Sequence, residues 1–372
     1  MIYLDNAATT ITKPSCVIKA NDYAFRSLCA NAGRGSHSAA MKAASVFYEA
    51  RKAVKALTAC DETVFCFNCT DALNTAIFGS ARRGHIITTA FDHNSVLRPI
   101  YELSRRKISD YTVVFPNAQG VIDPADIERA IRPDTYLIAI NHVSNVLGAV
   151  APVSQIGNIA HRHGITYLVD GAQSVGYMDV NMREIGCDML CFSPHKGLHG
   201  PQGIGCLCLR DGIKLAPHRF GGTGTASDSL AQPADIPEGL ESGTMPVNCA
   251  LSLIAAIHNH MSATPAARRK LAALGDDMRE RLQKIRGVRL YGKYNILPTI
   301  ACFNIQNVNS AIVGDILNEQ YDIAVRCGLH CAPLCHKYLG TLGTGAIRAS
   351  LSYENTQDEV DFFIKAVTEI AM

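Results

Sequence analysis

The chain is expected to fold as an α/β protein on a doubly wound, mainly parallel seven-stranded sheet, followed by a smaller α+β unit. Three observations predict this. Between residues 60 and 210, short runs rich in Val, Ile and Phe recur without polar alternation, the pattern of strands buried on both faces. Helical periodicity fills several of the gaps between them, as crossover connections in a parallel sheet require. After Met245 the texture changes to one long amphipathic stretch and then to alternating strand and helix patterns.

In chain order, the runs are 63–67, 85–89, 112–115, 136–141, 166–170, 189–192 and 205–209, with helix-like segments at 123–131 and 153–163. The stretch 248–285 reads as one amphipathic helix, with Arg268, Arg269, Lys270, Asp276 and Asp277 on its polar face. A strand at 299–305, a helix at 311–319, a strand at 346–351 and a last helix from Thr356 complete the small unit. The division is a large domain over 12–247 and a small one over 1–11 and 248–372. No Pro- or Ser-rich linker separates them, so a firm interface is expected.

Composition narrows the function. The 372 residues carry 35 Lys plus Arg against 33 Asp plus Glu, and a net charge of +2 provides no field to hold nucleic acid or a membrane surface. No run reaches the roughly 18 unbroken apolar residues of a membrane span, and the first residues lack a secretory pattern, so a cytoplasmic location is expected. The 14 cysteines are scattered through apolar segments, as small buried hydrophobes of a reducing compartment would be. Cys66 and Cys69 form a CxxC with no matching second pair, so no metal site is expected.

In an open parallel sheet, ligands bind where strands end. After the first run, Asn68-Cys69-Thr70-Asp71 opens a helix whose free N–H groups suit a phosphate, with an ordinary N-cap as the plainer alternative. After the second comes His93, and after the fourth Asn141-His142-Val143-Ser144-Asn145. Asp170 follows the fifth, where a carboxylate could bind magnesium or a ribose, or pair with a protonated pyridine nitrogen.

The sixth run decides between these. It ends in Ser193-Pro194-His195-Lys196-Gly197, and a lysine at a buried strand end has a lowered pKa whose neutral amine condenses with an aldehyde. Lys196 is therefore expected to hold pyridoxal phosphate (PLP) as a Schiff base. Asp170 then keeps the pyridine nitrogen protonated, and Gln173 bonds the ring hydroxyl. Thr70, with Asp71 beside it, Ser193 and His195 face the phosphate. No GxGxxG or GxxxxGK[ST] supports a nucleotide instead; Thr223, in Gly221-Gly222-Thr223-Gly224-Thr225, is a further phosphate contact, expected across a dimer interface.

These residues bring a family into view. The segments Tyr3-Leu4-Asp5-Asn6-Ala7-Ala8, Asp170-Gly171-Ala172-Gln173, Ser193-Pro194-His195-Lys196, Arg326-Cys327-Gly328-Leu329-His330-Cys331-Ala332-Pro333 and Arg348-Ala349-Ser350-Leu351 resemble the class V aminotransferase family of fold-type I PLP enzymes, specifically the cysteine desulfurases and selenocysteine lyases. The compact segment between Cys331 and Arg348 resembles the Suf-type branch. By this resemblance His93 stacks on the PLP ring, Asn145 lies near its hydroxyl, Arg348 binds the substrate carboxylate and Cys331 is the catalytic cysteine. His330 or Arg326 would favour the Cys331 thiolate, and Arg326 also stands close to substrate. The implied reaction converts L-cysteine to L-alanine with a persulfide on Cys331, discharged to a sulfur-acceptor protein by a homodimeric enzyme. L-Selenocysteine as substrate, or C–S lysis of cysteine or cystine to pyruvate, are the alternatives. Arg348 could also serve only as an interface ion pair, and Cys327 and Cys335 have no assigned role.

Overall fold

Strands buried on both faces need two apolar layers, and the chain supplies both. The computed structural model describes residues 1–33, 35–263 and 265–372. It opens with β1 (Ile2–Tyr3), α1 (Ser15–Ser27), α2 (Ser38–Thr58), β2 (Glu62–Cys66), α3 (Cys69–Gly79), β3 (Gly84–Thr89), α4 (Asn94–Arg105) and β4 (Ser109–Val114). Next come α5 (Pro124–Arg129), β5 (Thr135–Asn141), α6 (Val153–Arg162), β6 (Thr166–Asp170), α7 (Met182–Ile185), β7 (Met189–Phe192) and β8 (Gly205–Leu209). The seven-stranded sheet runs β2-β8-β7-β6-β5-β3-β4; β8 is antiparallel to both neighbours and the other pairs are parallel.

Alternate residues of each strand enter different cores. Ile138, Ile140, Tyr167, Val169, Leu190 and Phe192 join the layer beneath α2 and α6, while Leu137, Ala139, Leu168, Met189 and Cys191 join the layer beneath α3 and α4. That is why these runs show no polar alternation: a residue pointing either way meets hydrocarbon. Strand order reverses between β3 and β5, opening a crevice at their carboxyl ends.

The chain continues through α8 (Val247–Ser262), α9 (Pro265–Lys284), β9 (Val288–Tyr291), β10 (Ile300–Ile305), α10 (Ser310–Tyr321), β11 (Ile323–Ala324), β12 (Arg326–Gly328), α11 (Pro333–Leu339), β13 (Ala346–Ser350) and α12 (Gln357–Ala371). An antiparallel sheet, β12-β13-β10-β9, is covered by α9, α10 and α12, and β1 pairs with β11 beside it. The expected single helix over 248–285 is two helices. Pro265 lacks the amide hydrogen needed to continue α8 and starts α9 instead. The α8 residues Val247, Cys249, Ala250, Leu253 and Ile257 pack in the large-sheet core with α2, so packing puts α8 with the large unit, and the division at 247 falls one helix too early. Among the described residues, no helix is long and apolar enough to cross a membrane.

Candidate active site

Register brings the strand ends together. Asn141 pairs with Asp170, and Asp170 with Cys191, so the residues following β5, β6 and β7 emerge at one level. There, Thr70, His93, Asn145, Asp170, Gln173, Ser193, His195 and Lys196 line one cavity of about 310 Å³, joined by Asn68, Cys69, Ser95 and Asn141. This volume lies at the small end of small-molecule sites.

Lys196 lines that cavity and is half-buried. Desolvation lowers the pKa of its amine, with Asp170 pulling the other way. Burial raises the Asp170 carboxyl, against the Ala172 N–H donated to Oδ1 at 2.9 Å and the nearby charge of Lys196. Desolvation thus favours the neutral amine and the neutral acid while the two charges favour the ionised pair, opposing effects of the kind that gather at functional sites. Behind the lysine, Gly176 has φ +94°, and a Cβ there would stand 2.2 Å from the Gly197 carbonyl carbon. Only glycine permits this approach. In front, Thr10 N–H and the Lys13 ammonium both donate to the His195 carbonyl at 3.1 Å, so the N-terminal segment clasps the lysine loop.

His93 caps α4. Its Nδ1 accepts the Ser95 N–H at 3.1 Å, so the neutral ring carries its proton on Nε2, and desolvation lowers its pKa to about 4. The Ser95 hydroxyl lies 2.9 Å from that Nδ1 and 2.7 Å from the Thr70 hydroxyl, linking the starts of α3 and α4. Burial likewise lowers His195 to about 4; its Nδ1 lies 3.0 Å from the Thr9 hydroxyl.

Two buried acceptors on the cavity wall are left without a protein partner. Gln173 donates to the Ala7 carbonyl at 2.8 Å and Asn145 to the His330 carbonyl at 2.7 Å, but Gln173 Oε1 and Asn145 Oδ1 bond nothing among the described residues. Buried polar atoms are normally satisfied, so these oxygens call for a donor-bearing ligand. The free N–H groups at the start of α3, the carboxylate of Asp170 and the amine of Lys196 form a donor set that fits PLP.

Arg348, on β13, is 2% exposed. Its Nη2 donates to Asp5 Oδ1 at 2.7 Å and its Nη1 to the Asn145 carbonyl at 2.9 Å, while Nε has no partner among the described residues. Arg326 stands opposite it in register on β12, with an exposed side chain. Cys331 is exposed, and its carbonyl accepts the Asn94 N–H at 2.7 Å, which sets it beside the start of α4 next to His93.

Two expectations, those for Asp71 and His330, need correction. Asp71 does not line the cavity: its carboxylate accepts the Phe67 N–H and pairs with Arg219, both at 2.8 Å. Thr223 lies in a separate hollow with Arg51, Glu241 and Thr244, apart from the lysine of its own chain, and its expected contact is with a second copy. His330 is no source of positive charge for Cys331, because burial pushes its pKa down to about 3 and keeps the ring neutral. The spare cysteines also find places. Cys327 packs against Gly314 of α10, where a Cβ would stand 2.5 Å from its Sγ, and Cys335 is fully buried in the large core. The CxxC splits, Cys66 facing Thr75 while Cys69 points its thiol at Asp170 Oδ1, 3.8 Å away; all 14 cysteines are free. Cys69, Ser95 and Asp5 were missed as site residues. Their only signal was adjacency: Cys69 precedes Thr70, Ser95 follows His93 by two, and Asp5 stands in the N-terminal motif.

Comparison with known proteins gives a consistent picture. The model of the aminotransferase class-V family matches residues 2–363. A probable cysteine desulfurase of Methanothermobacter thermautotrophicus is 36% identical, with 100% of this chain and 94% of that protein covered. One of Pseudomonas putida is 35% identical over 99% of this chain and 93% of its own length. Among solved structures, the apo cysteine desulfurase of Thermococcus onnurineus NA1 is similar with a TM-score of 0.92 and 31% identity, covering 100% of this chain and 94% of that one. An Escherichia coli cysteine desulfurase in its S-sulfonic acid form follows at TM-score 0.88 and 25% identity, covering 99% and 94%.

Proposed function

This chain belongs to the class-V aminotransferase family, and on that footing we propose that it is a PLP-dependent cysteine desulfurase, converting L-cysteine to L-alanine and taking the sulfur onto Cys331. The observation that carries the reading is that Lys196 and Asp170 line one cavity while the exposed Cys331 is held beside it, its carbonyl on the Asn94 N–H and the preceding His330 carbonyl on the Asn145 amide.

Lys196 would hold PLP, with Asp170 facing the pyridine nitrogen, His93 the ring, Gln173 and Asn145 its hydroxyl, and Thr70, Ser193 and His195 the phosphate. Bound PLP supplies an electron sink for the pair left on the substrate α-carbon. Arg348 orients the substrate carboxylate through its planar fork, with Arg326 reinforcing the positive field. Lys196, whose amine desolvation holds below its ordinary pKa, takes the α-proton on Nζ and later returns a proton to carbon. Cys331 then forms an S–S bond with the substrate sulfur as the C–S bond breaks, and the persulfide passes to a sulfur-acceptor protein.

The short span between Cys331 and β13, filled by α11, supports a Suf-type compact cysteine loop. A homodimer is supported by the exposed apolar side chains Phe25, Met41 and Tyr48 on α1 and α2, and a second copy is the means by which Thr223 would reach a phosphate. Free thiols throughout suit a reducing, cytoplasmic setting.

The test is a product analysis. Incubation with L-cysteine and a reductant should yield alanine and sulfide. Cys331→Ser should abolish both while keeping the visible absorption of the bound cofactor, and Lys196→Ala should lose that absorption. Pyruvate and ammonia in place of alanine would overturn the reading, and a selenocysteine rate far above the cysteine rate would reassign the substrate.

A further inference from the structure

The loop carrying Cys331 is held from beneath by two buried histidines. His330 and His336 have ring centroids 5.4 Å apart at 20°, yet their nearest nitrogens, Nδ1 of His330 and Nε2 of His336, are 3.2 Å apart. The rings therefore meet end to end through a hydrogen bond. Beyond them, His330 Nε2 lies 3.2 Å from the Arg326 carbonyl, and His336 Nδ1 lies 2.8 Å from the Thr341 hydroxyl.

The chemistry of the ends fixes every proton. A carbonyl only accepts, so His330 carries its hydrogen on Nε2. Its Nδ1 is then a bare acceptor, so His336 must donate from Nε2. That leaves His336 Nδ1 to accept from Thr341. Both residues are buried and burial lowers their pKa values to about 3 and about 4, so the row is neutral throughout.

This row matters because of the backbone above it. His330 and Cys331 both have left-handed conformations, φ +50° and +56°, which side chains beyond Cβ rarely adopt. Their carbonyls are each tied, to the Asn145 amide and to the Asn94 N–H, both at 2.7 Å. With the backbone tied at two carbonyls, the remaining freedom is the His330 side chain, and His336 removes it.

We propose that His336 is a positioning residue for Cys331, locking the tautomer and orientation of His330 and so holding the two left-handed residues that present the thiol at the cavity rim. This rests on the reading of Cys331 as sulfur acceptor. His336 reaches no cavity residue itself.

The test contrasts His336→Asn with His336→Gln in the holoenzyme. Glutamine can still place a donor at the Nε2 position; asparagine reaches only as far as Nδ1 and leaves His330 Nδ1 unpaired. In His336→Asn, kcat for alanine should fall about tenfold, the order of one buried hydrogen bond left unmade, with KM and cofactor absorption within about twofold. Amide-hydrogen exchange across 328–332 should quicken in the same variant. His336→Gln should keep both near the parent. Unchanged kcat and exchange in His336→Asn would overturn the proposal, and so would equal losses in both variants accompanied by loss of cofactor, which mark a purely structural residue. If the parent makes no alanine, the desulfurase reading fails, while the exchange contrast still decides what His336 does.

Discussion

Arg348 is bound to Asp5 before any substrate arrives, and Asp5→Asn shows whether that pair competes with the substrate carboxylate. The charges meet at 2.7 Å, with Arg348 2% and Asp5 20% exposed. Unit charges about 4 Å apart gain roughly 4 kcal/mol at an effective dielectric near 20, and the cost of desolvating the arginine leaves a net contribution of about 1–2 kcal/mol. Asparagine keeps an oxygen for Nη2 and removes the charge. If Arg348 takes the substrate carboxylate, Asp5→Asn should therefore bind L-alanine about tenfold more tightly, since roughly 1.4 kcal/mol is a factor of ten. Folding stability should fall by a similar free energy. Arg348→Lys, which cannot span Asp5, the Asn145 carbonyl and a carboxylate together, should weaken L-alanine by at least about tenfold. Titration of the holoenzyme with L-alanine, followed by cofactor absorption, reads both. Unchanged or weaker binding in Asp5→Asn, with cofactor intact, would refute the competition and leave Arg348 an interface ion pair.

Gly176→Ala would drive a Cβ into the Gly197 carbonyl at a residue with φ +94°, so a loss of about 2–4 kcal/mol and poor cofactor retention are expected; full cofactor and an unchanged Tm would contradict the close approach. The depressed histidines make a pH prediction. His93, His195 and His336 titrate near 4 when folded against about 6.5 unfolded, so the unfolded chain binds more protons between those values and their stabilising share falls as pH drops through that window. Each accounts for about 1 kcal/mol at pH 5.5. His336→Gln should therefore show a shallower loss of urea midpoint from pH 7.5 to 5.5 than the parent; an equal slope would argue against a depressed His336. Cys327→Ala should release alanine within about twofold of the parent, because its thiol faces Gly314; a loss as complete as that of Cys331→Ser would give Cys327 a chemical role.

Much of the fold was legible for one physical reason. Strands flanked by two apolar layers are apolar at every position, so 166–170, 189–192 and 205–209 were bounded as the structure has them. The same logic located the cavity, since the residues just past a buried strand emerge at the sheet's carboxyl edge. The misses share a different origin. Asp71 and Thr70 are neighbours on the first turn of α3, but one residue rotates the side chain about 100°, and that is enough to exchange the cavity for Arg219. The membership of α8 depends on contacts with α1 and α2, about two hundred residues away in sequence, whereas the break before α9 was marked locally by Pro265.

His330 fails for a related reason. Beside a candidate catalytic cysteine, a histidine reads as a source of positive charge, and only the burial of both it and His336 makes the pair neutral. The neutral row leaves the histidines no charge to lend the cysteine loop. Arg326 is exposed on β12, its carbonyl already fixes His330, and its backbone stands in register with Arg348. The cations on these adjacent strands are the two arginines, Arg348 already paired with Asp5 and Arg326 exposed, while the histidines supply shape. Charge and geometry are thus assigned to different residues around one sulfur, so a variant of Arg326 should weaken L-alanine binding without changing amide exchange across 328–332, and a variant of His336 should quicken that exchange without moving L-alanine binding. Coincident effects from the two would collapse the distinction.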